Sequence, residues 1–132
     1  LYDSTTEPRI KERLIIMIGE SRSPKGREKL LSIVKNDKDM KARERALLML
    51  GEDKSDEMVD ILADMYSKTE EARIKERVIV SLAQNGSNKA IRTMIDIARK
   101  EENMDLKKKI IFWLGQSKSE EAIKFIKEIL EK

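Results

Sequence analysis

Residues 43–66 read RERALLMLGEDKSDEMVDILADMY, and the order of chemistries in this stretch decides the fold. An apolar run, Ala46-Leu47-Leu48-Met49-Leu50, closes at Gly51, Ser55 follows four residues later, and Met58, Val59, Leu62, Met65 and Tyr66 then recur at helical spacing. That spacing puts the second apolar set on one buried stripe. A serine just ahead of it reads as an N-cap, its oxygen accepting from a backbone N–H that the helix leaves unpaired. The small residue at the end of the first run supplies a left-handed cap or tight exit into a short turn. The stretch is a helical hairpin.

The same layout occurs four times. Gly19, Gly51, Ala83 and Gly115 are successively 32 residues apart, and each closes an apolar run: Leu14–Ile18, Ala46–Leu50, Val78–Leu82 and Ile110–Leu114. Ser23, Ser55, Ser87 and Ser119 hold the capping position, and Leu30, Ile33 and Val34, then Ala90, Ile91, Met94, Ile97 and Ala98, then Ala122, Ile123, Ile126, Ile129 and Leu130 repeat the second stripe. Each unit pairs a first helix of about twelve residues with a second of about thirteen. One hairpin cannot bury both of its faces, so stacked neighbours must cover them. The expectation is an all-α chain, an open right-handed superhelix (solenoid) of four hairpins: 1–7 the end of a preceding repeat and a link, then repeats at 8–39, 40–71, 72–103 and 104–132 in one continuous domain. Leu1-Tyr2 stands two periods before Met65-Tyr66, which reads as the second helix of an earlier repeat. At the other end Lys127 fills the column of Leu31, Ala63 and Ile95, as a flank facing water would.

Composition agrees with helices and excludes several functions. Of 132 residues, 40% are charged and 39% hydrophobic, and two prolines with five glycines leave little to interrupt a helix. The 28 basic and 25 acidic residues give a net charge of +3, too balanced to signal a polyanion partner alone. With no cysteine and no histidine there is no thiolate nucleophile, disulfide framework or imidazole base. Absent cysteine fits cytoplasm and periplasm equally. No run of eighteen apolar residues calls for membrane insertion.

In this register the units resemble HEAT repeats, the short kind widespread in bacteria and in phycobilisome-lyase-like arrays. The resemblance is carried by Arg43, Ala46 and Leu50-Gly51, by Lys107, Ile110 and Leu114-Gly115, and by Glu7-Pro8 at a first-helix start. It covers essentially the whole chain. It implies a non-catalytic protein–protein interaction scaffold, part of a longer protein, with no cofactor, no metal and no catalytic residue, and with the second helices lining the ligand-facing side.

Three surfaces then compete for function. The outward columns of the second helices are Glu28, Asp60, Arg92, Lys124 and Ser32, Asp64, Asp96, Glu128. The second column is acidic after its first member and would steer a basic or mixed-charge peptide inward, with Asp60, Asp64, Arg92, Asp96 and Glu128 as the charge-selecting contacts. A basic column, Lys11, Arg43, Lys75 and Lys107, is the alternative, a ridge tracking nucleic acid. Acidic or polar residues four positions earlier (Glu7, Asp39, Glu71, Asn103) supply structural i,i+4 partners instead, and no aromatic platform accompanies the ridge, so the balance lies against nucleic acid. An accessory or lyase-like subunit needing a partner is a further alternative. Finally, Ile16, Leu48, Val80 and Phe112 fall away from the main stripe of the first helices, whereas Trp113 sits at its edge. Neighbouring helices in a stack cover such a column, so Phe112-Trp113 reads mainly as architecture: Trp113 as packing, and Phe112 as the one of the two placed to touch a partner.

Overall fold

A computed structural model describes residues 1–131. Among them are eight α-helices and no strand: α1 Pro8–Ser21, α2 Pro24–Asn36, α3 Met40–Leu50, α4 Asp56–Lys68, α5 Ala72–Asn85, α6 Asn88–Lys100, α7 Met104–Gln116 and α8 Glu120–Leu130, with a short 3-10 turn at Tyr2–Ser4. First helices start at Pro8, Met40, Ala72 and Met104, and second helices at Pro24, Asp56, Asn88 and Glu120.

The second helices start where the serines stand. Ser23 Oγ accepts from the Gly26 N–H at 2.9 Å, Ser55 from Met58 at 3.2 Å, Ser87 from Ala90 at 3.1 Å and Ser119 from Ala122 at 3.4 Å. First helices use mixed chemistry. Asp39 caps α3 through the Lys41 N–H and Asn103 caps α7 through the Asp105 and Leu106 N–H groups, while Glu7 and Glu71 give no side-chain cap. Pro8 and Pro24 fall in first turns, where the missing N–H costs nothing.

The chain divides into two compact units, the first Leu1–Asp53 and the second from Lys54 onward. In the first, α1 packs on α2 and α3, and α2 on α3. Gly19 permits the α1–α3 approach, because a Cβ there would lie 2.4 Å from Met49 Cε and 3.0 Å from Met49 Cβ. In the second unit α4 packs on α5 and α6, α5 on α6 and α7, α6 on α7 and α8, and α7 on α8. Met58, Leu62, Ile74, Ile79, Leu82, Met94, Ile110 and Leu114 are fully buried, the stripes that the spacing foretold. Each such side chain contributes about 1.5–3 kcal/mol when removed from water.

The helix exits differ from the sequence reading. None of the small-residue column is left-handed: Gly19, Ala83 and Gly115 lie inside helices and Gly51 has φ −66°. The left-handed positions are Arg22 (φ 50°), Gly86 (φ 66°) and Lys118 (φ 58°), because α1, α5 and α7 run on past the small residue before they end. At Gly19 the lack of a side chain serves packing, not backbone conformation.

Candidate functional site

In the second unit the outward charges of α4, α6 and α8 are joined helix to helix. Asp60 on α4 accepts from Lys89 on α6 at 2.9 Å, and Arg99 on α6 reaches Glu128 on α8 at 3.3 Å. Arg92 on α6 holds Glu121 on α8 with Nε 3.1 Å from both carboxylate oxygens and Nη2 2.9 Å from Oε1. That fork lowers the Glu121 pKa and raises that of Arg92, each chiefly through the hydrogen bond between them. Asp64 is taken by Lys68 one turn along its own helix, at 3.0 Å. Of the five charged contacts expected from sequence, Asp60, Asp64, Arg92 and Glu128 are thus already paired. Asp96 alone makes no hydrogen bond or ion pair among the described residues.

Asp96 lies at a cleft of about 560 Å³, walled by Ala63, Tyr66 and Ser67 of α4, Lys75 of α5, Thr93, Ile97 and Lys100 of α6, and Glu101 and Glu102 beyond it. At its base the buried Tyr66 hydroxyl donates to Glu101 Oε1, and the Lys75 ammonium stands 5.1 Å from the Tyr66 ring centroid and 4.0 Å from Glu101. Burial first, and then the bond to Glu101, raises the Tyr66 pKa. Burial alone would raise Glu101 as well, but the Tyr66 hydroxyl, the Asn103 N–H and Lys75 outweigh it and hold the carboxyl below its ordinary value. Lys100, exposed and without an ion-pair partner among the described residues, shares the rim with Asp96. The cleft therefore offers a carboxylate and an ammonium one helical turn apart over a partly apolar floor.

An equivalent cleft of about 380 Å³ occurs in the first unit, lined among others by Tyr2, Lys11, Lys29, Ser32, Asn36 and Asp37. Tyr2 donates to Asp37, Lys11 lies 3.2 Å from that carboxylate, and the Lys11 ammonium is 5.4 Å from the Tyr2 ring. Every member of this trio stands 64 positions before its counterpart in the second unit. The rims differ. Ser32 and Asn36 replace Asp96 and Lys100 and bond to each other at 3.4 Å, while Lys29 is bound by Asp3 at 2.8 Å. At these two rim positions the first cleft is satisfied internally and the second is not.

The basic column is largely spent on structure. Lys11 and Lys75 serve the two trios, and Arg43 Nε donates to the Val34 carbonyl at 2.6 Å. Lys107 is half-buried. The i,i+4 pairing foreseen for Lys11 with Glu7 is replaced by Asp37, which the following link brings over the α1 N-terminal half. In the apolar column Ile16 and Val80 are half-buried, whereas Leu48 and Phe112 are exposed. Trp113 is half-buried and meets Phe112 edge-to-face, ring centroids 5.3 Å apart. Sequence reasoning missed Tyr66, Glu101, Lys100, Lys89, Arg99 and Glu121. The recurrence of tyrosine, lysine and carboxylate at a double period was the available signal for the first two.

Capped helices packed in antiparallel succession around an apolar stripe within each unit define an all-helical repeat protein. The family profile described as HEAT repeats matches residues 1–83 and again 27–107, and the chain belongs to that family. A search of the curated proteins found no match. HEAT repeats generally mediate protein–protein interaction and are generally non-catalytic. Among the described residues no helix is long and apolar enough to cross a membrane, and no cluster of carboxylates is arranged to hold a metal ion.

Proposed function

We propose that this chain is a non-catalytic scaffold that binds a protein segment of mixed or basic charge across α4, α6 and α8. The observation that carries the reading is Asp96, unpaired at the mouth of the cleft over Tyr66 and Ile97, on a surface whose other carboxylates are largely neutralised by neighbours. An arginine or lysine of the bound segment placed at Asp96 gains a charge-assisted hydrogen bond, and an acidic residue beside it meets Lys100. The paired charges on either side form a polar rim that contributes specificity more than affinity.

The test is a pull-down from lysate of the source cells read by mass spectrometry, comparing the parent with Asp96→Lys. Asp96 is exposed and makes no hydrogen bond or ion pair among the described residues, so the variant should keep its fold. A protein captured by the parent and lost by Asp96→Lys supports this surface. Identical captures sink it.

A further inference from the structure

The turn from α5 to α6 carries a dipeptide with chemistry of its own. Asn85-Gly86 is the one asparagine–glycine pair in the chain. In such a pair the Gly86 nitrogen can attack Asn85 Cγ, because the glycine has no side chain to obstruct the approach. The N–Cγ bond forms, the Cγ–Nδ2 bond breaks, and ammonia leaves with the proton that the Gly86 amide gives up. Water then opens the cyclic imide at either of its two carbonyls, giving aspartate or isoaspartate. Water is the only other reactant.

The fold holds every group of that reaction in another bond. Asn85 is the last residue of α5 and is 9% exposed. Its Nδ2 donates to the Ser55 carbonyl at 3.4 Å and its Oδ1 accepts from the Ser87 N–H at 3.2 Å, so the side-chain amide is held from both ends. The nucleophile is occupied as well, the Gly86 N–H donating to the Leu82 carbonyl at 3.2 Å. Across the turn Lys54 Nζ donates to the Gln84 carbonyl at 2.6 Å and ties down the peptide next to Asn85. All of these groups lie in the second unit. Attack therefore requires the turn to open locally, freeing the Gly86 nitrogen and the Asn85 amide together.

The turn itself does not demand this pair. Arg22 and Lys118, two repeats before Gly86 and one after it, take the same left-handed backbone (φ 50° and 58°, against 66°), and Ser21 and Ser117 stand where Asn85 stands. Ser117 also supplies the acceptor for the next capping residue, its Oγ receiving the Ser119 N–H at 3.2 Å. A serine followed by a lysine thus builds the exit without the reactive dipeptide.

Neither product fits the closed turn. Aspartate at position 85 keeps the bond from the Ser87 N–H, but it sets a carboxylate against the Ser55 carbonyl and puts negative charge at the C-terminal end of α5, where the helix dipole opposes it. Isoaspartate carries the main chain through the side-chain methylene, which adds one backbone atom and moves the Gly86 N–H off Leu82. We propose that Asn85-Gly86 is a guarded deamidation site: the closed turn suppresses the reaction, opening permits it, and the product prevents the turn from closing as before, so that opening of the second unit is written irreversibly into the chain. The site is separate from the Asp96 cleft and does not depend on it.

The test follows the tryptic peptide 78–89 by mass spectrometry after incubation of the full chain at mildly alkaline pH, folded and in urea. Conversion of amide to acid in urea should be faster than in the folded chain by about tenfold or more. Gly86→Ala should suppress it in urea, which assigns the signal to Asn85 and not to Asn88 of the same peptide. Lys54→Ala changes an exposed side chain remote from the reacting atoms; it should leave the helical circular dichroism unchanged and raise the folded rate several-fold. Asn85→Asp, which installs one product directly, should melt below the parent. The proposal is overturned if the folded chain converts as fast as the unfolded one, if Gly86→Ala converts in urea like the parent, if Lys54→Ala leaves the folded rate unchanged, or if Asn85→Asp melts with the parent.

Discussion

Removing one oxygen atom tests the energetic centre of the second unit. Tyr66→Phe keeps the ring, the packing and the Lys75 ammonium 5.1 Å above the ring, and deletes only the hydroxyl that donates to Glu101. The Glu101 side chain is 8% exposed, so water cannot fully replace the lost donor. It keeps the Asn103 N–H at 3.0 Å and Lys75 at 4.0 Å, which limits the damage. A hydrogen bond to a charged acceptor contributes about 1.5–3 kcal/mol, so the expected loss at neutral pH is about 2 kcal/mol, a fall in Tm of about 5 °C or more.

The pH dependence fixes the mechanism. The Glu101 carboxyl is held below its ordinary value in the folded chain, so the stability it contributes is fully present above the unfolded value of about 4.3 and is lost as pH falls through the folded one. Protonation also turns the bond from Tyr66 into a neutral one, worth roughly half as much. The penalty of Tyr66→Phe, measured by thermal melts of both proteins at neutral and acidic pH, should therefore shrink in acid. An unchanged Tm at neutral pH would show that Glu101 is satisfied without the phenol. A penalty of equal size at both pH values would show that packing, not the charged bond, is lost, and either result refutes the argument.

Two further substitutions read the fold itself. Gly19→Val forces side-chain atoms into Met49, whose Cβ leaves no room behind its flexible tip, and should cost about 2 kcal/mol in chemical denaturation, with Gly19→Ala costing less because Met49 Cε can turn away. Lys118→Gly relieves a left-handed residue (φ 58°) that a side chain disfavours and should stabilise by about 1 kcal/mol, visible as a raised Tm; an unchanged or lowered Tm would mean that the lysine stem packs usefully there.

What the sequence discloses tracks how local the physics is. Ser55 and its three equivalents announce helix starts because a cap is decided within four residues, and the Met58 to Tyr66 stripe announces a buried face because periodicity is a property of one helix. Gly19 is ambiguous for the opposite reason: its demand comes from Met49, thirty residues away, and sequence offered only its conformational freedom as an explanation. Arg22 and Lys118 carry the left-handed exits with no glycine to mark them. The residues expected to select charge lie on second helices, yet their pairing is illegible in sequence, since Lys89, Glu121 and Arg99 pair with Asp60, Arg92 and Glu128 across helices and no i,i+4 rule points there.

That distribution of pairs limits what the charged surface can do. A stacked repeat carries charges outward, and in the second unit neighbouring helices pair Asp60, Arg92 and Glu128, so a charged column is not by itself a recognition surface. Recognition has to use the groups that the register leaves over. In the proposed reading the group that serves is Asp96, with Lys100 beside it, at a rim whose counterpart in the first unit carries Ser32 and Asn36, bonded to each other. Asp96→Lys should therefore abolish capture at the cleft, whereas Asp64→Lys, at a carboxylate already held by Lys68, should weaken it much less. If the two changes weaken capture equally, the argument that recognition is set by the unpaired group fails.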